Sequence, residues 1–130
     1  MSNGALPQPD PAVEAQRVVL LIEDDEAVRR SLQMLLHWRG YDVRSFAGAA
    51  PVLEGNMMDD ADVLIADYRL PDGDGISVLR ALRRADWKGK SILITAFPSP
   101  TLAEAARAAG FDAVLEKPLR QHELIRVLAG

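Results

Sequence analysis

From residue 17 onward, hydrophobic positions alternate between short continuous runs and sparser helical repeats. The run Val18–Ile22 is β-branched and aliphatic throughout, which is typical of a strand buried on both faces of a parallel sheet. The apolar residues Val28, Leu32 and Leu36 then recur at helical spacing and predict an amphipathic helix that ends at Gly40. The same alternation predicts strands at residues 18–22, 41–46, 62–66, 91–95 and 113–115.

Five strands alternating with five helices predict an α/β fold whose parallel sheet is covered by helices on both faces. Right-handed crossovers wind such a sheet in two directions, with the flavodoxin-like strand order 2-1-3-4-5. Residues 1–16 contain three prolines and predict a flexible tail or linker, so the domain is expected at residues 17–130. Trp38 and Trp87 stand near the ends of predicted helices, where we expect them to pack.

Composition excludes several classes of protein. The chain of 130 residues has no cysteine, which excludes a disulfide framework and any thiolate metal site. A net charge of -4 argues against a general nucleic-acid surface. No apolar stretch approaches the length of a membrane helix, and the first residues lack the pattern of a signal peptide. We therefore expect a cytoplasmic domain that binds neither membranes nor nucleic acid directly.

Polar residues with useful chemistry follow four of the five predicted strands. Glu23 and Asp24 follow the first strand, Asp67 follows the third, Thr95 ends the fourth, and Lys117 comes shortly after the fifth. Ligands of doubly wound sheets bind beyond the carboxyl ends of the strands, where the winding direction reverses. Because neighbouring strands are only about 4.8 Å apart, these side chains are expected to share one pocket.

The combination of groups indicates phosphoryl chemistry. Three carboxylates in one pocket repel each other unless a cation is present, and Mg²⁺ suits them because it keeps waters that phosphate oxygens replace. Lys117 adds a positive charge and Thr95 a hydroxyl donor. This set favours transfer of a phosphoryl group to Asp67, since such catalysis consists mainly of positioning and charge neutralisation.

Four sequence segments resemble the response regulator receiver family of two-component signalling. They are "LLIEDDEAVRRSL", "VLIADYRLPDGDGISVLRALR", "ILITA" and "VLEKPL", and they occur in the order and at the spacing of that family between Arg17 and Leu128. The resemblance implies a phosphoprotein that is a switch rather than an enzyme. It also implies a cis bond between Lys117 and Pro118, which proline makes possible at low energetic cost.

The resemblance assigns roles and partners. It implies Asp67 as phosphoacceptor, and Thr95 and Lys117 as the phosphoryl-binding switch residues. The donor would be a histidine kinase or a histidine phosphotransfer domain. Phosphorylation would promote a dimer or effector contact at the surface of the fourth helix, fifth strand and fifth helix. The implied Mg²⁺ ligands are Glu23 (through a water), Asp24, Asp67 and the backbone carbonyl of Arg69.

One position departs from the family pattern and keeps an alternative open. Val114 stands where the family usually has a switch aromatic, so a receiver-like interaction module that works without phosphorylation is the alternative. Arg69 and Phe97 occupy the two variable positions that flank the pocket and tune the phosphoryl lifetime in the family. A phosphatase of the dehalogenase kind would need an acid at position 69, where arginine stands. A nucleotide-binding flavodoxin-like protein is also disfavoured, because the loop after the first strand is acidic rather than glycine-rich.

Overall fold

The computed structural model describes residues 16–55 and 57–130. The predicted tail, residues 1–16, lies outside the described residues apart from Gln16. In chain order the described elements are β1 (Val18–Ile22), α1 (Glu26–Trp38), β2 (Asp42–Phe46), α2 (Ala50–Glu54), a 3₁₀ turn (Met57–Asp59), β3 (Val63–Asp67), β4 (Arg69–Leu70), β5 (Gly73–Asp74), α3 (Gly75–Arg84), β6 (Lys90–Thr95), α4 (Pro100–Ala109), β7 (Ala113–Glu116) and α5 (Gln121–Ala129).

The main sheet is parallel and has the order β2-β1-β3-β6-β7. This confirms the predicted order 2-1-3-4-5, because β4 and β5 form a separate small ladder. Strand β3 ends one residue later than predicted, so Asp67 is its last residue and is paired with Ile94 of β6. The carboxyl ends of β1, β3, β6 and β7 therefore lie along one edge.

Two hydrophobic cores lie on opposite faces of the sheet. Successive residues of β3 alternate between them: Leu64 and Ala66 join one core, while Val63 and Ile65 join the other. Helices α2, α3 and α4 cover the first core, and α1 and α5 cover the second. Each fully buried leucine or isoleucine contributes roughly 1.5–3 kcal/mol, so these two cores hold the edge in place.

Two helices, one on each face of the sheet, begin at polar caps. Asp25 Oδ1 accepts a hydrogen bond from Val28 N (3.1 Å) at the start of α1, and Asp74 Oδ1 accepts one from Ser77 N (2.7 Å) at the start of α3. A cap of this kind contributes about 1 kcal/mol and fixes where the helix begins.

The two tryptophans differ. Trp87 is buried as predicted, and its Nε1 donates a hydrogen bond to the carbonyl of Ala61 (2.8 Å). The prediction for Trp38 was wrong, because this side chain is 80% exposed. Trp38 comes two residues after the buried Leu36, which turns it by about 200° around the helix axis toward solvent.

Strands β4 and β5, which were not among the five predicted strands, pair in a small antiparallel hairpin. Arg69 pairs with Asp74 and Leu70 with Gly73, which leaves Pro71 and Asp72 at the tip. Proline suits the first tip position because its φ is already fixed near the value of a tight turn. Residues 69–74 closely follow Asp67, the predicted phosphoacceptor at the end of β3, and are called the acceptor hairpin below. Across the described ranges, no helix is both long and apolar enough to cross a membrane.

Candidate functional site

Three acidic residues meet at the carboxyl edge of the sheet, as predicted. Glu23 and Asp24 follow β1, and Asp67 ends β3 on the neighbouring strand. One carboxylate oxygen from each of the three lies within 4.8 Å of the others. Glu23 and Asp67 are buried, whereas Asp24 is exposed. The edge therefore presents an acidic cluster that is closed on the sheet side and open to solvent at Asp24.

The backbone around Asp67 is held by close main-chain contacts. Tyr68 N donates to the carbonyl of Ile94 (2.8 Å), and Gly75 N donates to the carbonyl of Tyr68 (2.9 Å). A Cβ on Gly75 would lie only 2.6 Å from the carbonyl oxygen of Asp67. Glycine is thus required for α3 to begin this close to the end of β3, and the approach fixes the Asp67 backbone.

Glu23 is the most deeply buried of the three acids, with no exposed surface. Its Oε2 accepts a hydrogen bond from Asp25 N (3.0 Å). Its Oε1 lies 2.6 Å from Lys117 Nζ but has no hydrogen-bond partner of suitable geometry among the described residues. This contact is an ion pair whose geometry does not make a hydrogen bond. Burial raises the pKa of the Glu23 carboxyl above its ordinary value, against the opposing effect of Lys117.

Lys117 reaches across the edge and contacts two of the acids. Its Nζ lies 2.5 Å from Asp67 Oδ2 and 2.6 Å from Glu23 Oε1, and its side chain is 19% exposed. Its backbone N donates to the carbonyl of Thr95 (2.8 Å), and the bond to Pro118 is cis, as predicted. Burial lowers the pKa of the lysine, but its contacts with the carboxylates of Asp67 and Glu23 raise it by more, so the ammonium form is favoured.

Thr95 belongs to the strand between β3, which ends at Asp67, and β7, which leads to Lys117. It ends this strand, β6, and is 3% exposed. Its Oγ1 accepts a hydrogen bond from Phe97 N (3.1 Å), which leaves the hydroxyl proton to be donated elsewhere. Among the hydrogen bonds of residues 16–55 and 57–130, none joins this hydroxyl to Asp67 or Lys117.

The two variable positions flanking the pocket contact each other. The guanidinium of Arg69 lies over the ring of Phe97, 5.4 Å from its centroid. Phe97 itself is 69% exposed. Val114, at the position lacking the usual aromatic, is partly buried against the core that α4 covers and pairs with Leu93. Val114 therefore lies in the sheet behind the pocket and does not contribute to the acidic cluster.

The donor set fits a hard divalent cation. Three carboxylates against one lysine leave an excess of negative charge, and Glu23 Oε1 still lacks a hydrogen bond. Mg²⁺ prefers carboxylate and carbonyl oxygens and keeps several waters, which an edge open on the Asp24 side allows. The residues present therefore suit magnesium.

One contact of the acceptor hairpin was not predicted. Asp72, at the hairpin tip, accepts hydrogen bonds from the backbone N–H groups of Ala49 and Ala50. These residues are more than twenty positions apart in the chain, so no local pattern points to the contact. The only sequence signal is an aspartate beside proline in a loop, which usually indicates a turn.

Comparison with known proteins identifies the family. The sequence profile of the response regulator receiver domain matches residues 19–129. The chain belongs to the response regulator receiver family. It is 31% identical to the transcriptional regulatory protein TrcR of Mycobacterium tuberculosis over 98% of the chain. It is 35% identical to the response regulator MprA of Mycobacterium ulcerans over 82% of the chain.

Solved receiver structures show the same fold. The receiver domain of Francisella response regulator 1452 is 27% identical with a TM-score of 0.80, covering 88% of this chain and 95% of that one. A structure named FixJ-N is 30% identical with a TM-score of 0.77, covering 88% and 91%. The predicted receiver fold and receiver function are thus confirmed, and such domains act as phosphoacceptor switches in two-component systems.

The receiver spans half or less of the curated relatives that it matches. It covers 49% of TrcR, 46% of MprA and 24% of the C4-dicarboxylate transport transcriptional regulatory protein DctD of Rhizobium meliloti. The relatives thus carry long segments outside the matched part.

Proposed function

We propose that Asp67 is the phosphoacceptor of this receiver and that its phosphorylation depends on Mg²⁺. The observation that carries the proposal is the position of the Asp67 carboxylate. It lies in the acidic cluster with Glu23 and Asp24, and its Oδ2 lies 2.5 Å from Lys117 Nζ. An acceptor carboxylate with a cation on one side and a metal site on the other has the groups that phosphoryl transfer needs.

The donor in this proposal is a phosphohistidine of a histidine kinase or histidine phosphotransfer domain. A carboxylate oxygen of Asp67 attacks the phosphorus atom, an O–P bond forms, and the N–P bond to the histidine breaks. The bonding electrons return to the imidazole nitrogen, which takes up a proton. When bound, Mg²⁺ would neutralise part of the negative charge on the oxygens of the transferred group. The product is an aspartyl phosphate at the carboxyl end of β3.

Metal binding is proposed for four groups at the edge: Asp24 and Asp67 directly, Glu23 through a water, and the backbone carbonyl of Arg69. Burial supports the indirect role of Glu23, because its side chain has no exposed surface and its Oε2 already accepts from Asp25 N, whereas Asp24 is exposed. The Arg69 carbonyl belongs to the first residue of the acceptor hairpin.

Lys117 and Thr95 are the proposed phosphoryl-binding residues. Lys117 Nζ already contacts the acceptor carboxylate, so a phosphoryl group on Asp67 forms next to this cation. The Thr95 hydroxyl has its proton free for a phosphoryl oxygen while its oxygen accepts from Phe97 N. Drawing Thr95 toward the phosphoryl group would pull on the segment between β6 and α4, which is a local route to a change of conformation.

The output is proposed at the surface of α4, β7 and α5, as a phosphorylation-dependent dimer or effector contact. Val114 lies in β7 on this surface and lacks an aromatic ring, so the coupling differs from the usual one. The alternative of a phosphate-independent module has only Val114 in its favour, and the grouping of the acidic cluster with Lys117 argues against it. Three further statements remain predictions: the domain is not an enzyme on other substrates, it binds no nucleic acid directly, and it is cytoplasmic.

The test is intact-mass analysis after incubation with acetyl phosphate, with and without Mg²⁺. We expect the wild-type chain to gain one phosphoryl group only with Mg²⁺, and the Asp67→Asn variant to gain none. Asp112→Asn is the matched control, because Asp112 accepts a backbone hydrogen bond from Ser91 at the amino end of β6 (2.8 Å), away from the acidic cluster. Equal labelling of Asp67→Asn and wild type would overturn the assignment of the acceptor.

A further inference from the structure

The tip of the acceptor hairpin is tied to the start of α2 by one carboxylate. Asp72 Oδ1 accepts from Ala49 N at 2.8 Å, and Asp72 Oδ2 accepts from Ala50 N at 2.9 Å. The side chain is exposed, so water competes for these oxygens, yet both backbone bonds are formed. These bonds from Ala49 and Ala50 lower the pKa of Asp72 below its ordinary value, which shows that they favour the ionised carboxylate.

The absence of a side chain at Gly48 leaves space for the Asp72 carboxylate beside the backbone. A Cβ on Gly48 would lie 3.0 Å from Asp72 Oδ1, tighter than an ordinary contact. Gly48 thus allows the hairpin tip to approach the backbone that leads into α2. The contact links residues 22 and 23 positions apart in the chain, so it is a tertiary connection rather than a local turn.

The acceptor hairpin begins at Arg69, whose backbone carbonyl is one of the proposed Mg²⁺ ligands. Arg69 pairs with Asp74 at the hairpin base, and Gly75 N donates to the carbonyl of Tyr68 just before it. The base is therefore held by main-chain contacts, while Asp72 holds the tip. The hairpin, which is six residues long, is thus held at its base and at its tip.

We propose that Asp72 is a positioning residue of the metal site: by holding the hairpin tip on α2 it orients the Arg69 carbonyl for Mg²⁺. This inference rests on the proposed function, because it presumes that the edge binds Mg²⁺. By linkage the effect is reciprocal, so Mg²⁺ bound at the edge strengthens the contact between Asp72 and the amides of Ala49 and Ala50.

The test is a titration with MgCl₂ alone, followed through the NMR amide signals of Tyr68 and Arg69. Asp72→Ala removes both acceptors, and Asp72→Asn keeps one oxygen. We expect the Kd for Mg²⁺ to rise about fivefold in Asp72→Ala, a coupling at the low end of the usual range, and by less in Asp72→Asn. Asp62→Asn is the matched control, because Asp62 also accepts a backbone hydrogen bond, from Val18 N (2.7 Å), at the amino end of the sheet. Its Kd should equal that of wild type.

The outcomes separate this inference from the function on which it rests. A wild-type chain that shows no Mg²⁺-dependent shifts at Tyr68 and Arg69 would overturn the metal site itself. Mg²⁺ binding with the same Kd in wild type and Asp72→Ala would overturn only the role of Asp72. Circular dichroism checks the fold of each variant. If Asp72→Ala fails to fold, Asp72→Asn decides, and Gly48→Ala displaces the same carboxylate without changing it.

Discussion

Replacing Lys117 by methionine should destabilise the receiver in a pH-dependent way. The side chain of Lys117 lies between two buried acids, with Glu23 and Asp67 side chains 0% and 9% exposed. Methionine retains most of the length and the apolar part of the lysine, so the main change is the loss of the charge. Without the ammonium group, two carboxylates remain close together in a poorly solvated site.

The size of the effect follows from the burial of the pair. Breaking a buried ion pair by removing one partner costs about 3–5 kcal/mol. Lys117 keeps 19% of its surface exposed, and solvent screening reduces the loss, so we expect about 2–3 kcal/mol in the absence of Mg²⁺. With a urea m-value of about 2 kcal/mol/M for a domain of this size, the unfolding midpoint falls by roughly 1–1.5 M.

The pH dependence has a definite sign. The pKa of Glu23 in the folded protein is raised above its ordinary value of 4.5, chiefly by burial. A carboxyl whose pKa is raised by folding binds a proton more tightly in the folded protein than in the unfolded chain. The folded protein therefore loses stability as pH rises from 4.5 through the folded pKa of this carboxyl. Removing Lys117 raises that pKa further, so the loss caused by Lys117→Met should grow as pH rises through this window.

Urea unfolding of both proteins at several pH values, with and without MgCl₂, is the assay. Mg²⁺ should restore more stability to Lys117→Met than it adds to wild type, because the metal no longer competes with the ammonium group for the same carboxylates. Lys88→Met is the control, since Lys88 is 82% exposed and pairs with the exposed Asp86. A loss that is the same for both variants, or independent of pH, would refute the reasoning.

Three further changes have separate expected results. Gly75→Ala should cost about 1–3 kcal/mol by urea unfolding and slow labelling by acetyl phosphate, because the new Cβ would meet the Asp67 carbonyl oxygen at 2.6 Å; an unchanged labelling rate would contradict this. Trp38→Ala should change stability by less than about 0.5 kcal/mol, since the side chain is 80% exposed, and a larger loss would show that Trp38 is covered in solution. The stability difference between wild type and Asp72→Asn should stay constant from neutral pH down to 3.8, the ordinary pKa of an aspartate, and should shrink only below that pH. The reason is that a carboxyl whose pKa is lowered by folding stabilises the fold above its ordinary pKa, and this stability is lost as pH falls through the folded pKa; a difference that grows toward acid pH would be inconsistent.

Buried strands could be predicted from the sequence because their signal is continuous. A strand such as Val18–Ile22 is buried at every position, and only a parallel sheet covered on both faces accommodates such a run. The strand ends then place Glu23, Asp67 and Lys117 along one edge, because parallel strands all end at the same side of the sheet. Fold and acidic cluster were predictable for the same reason.

Features that depend on tertiary contacts were not predictable. The acceptor hairpin has strands of only two residues, too short for any hydrophobic alternation. The bonds of Asp72 to Ala49 and Ala50 join segments between which the chain forms α2, the 3₁₀ turn, β3 and β4. For Trp38, aromatic character suggested packing, but its angular position on α1 decides its exposure.

The most direct test of the central claim is to locate the phosphoryl group after transfer from a phosphorylated histidine kinase in the presence of Mg²⁺. Borohydride reduces an aspartyl phosphate to homoserine, which peptide mass spectrometry places at one residue. We predict homoserine at position 67, and none when Mg²⁺ is omitted. Homoserine at Asp24 or at another aspartate, with Asp67 unmodified, would contradict the assignment of Asp67 as the phosphoacceptor.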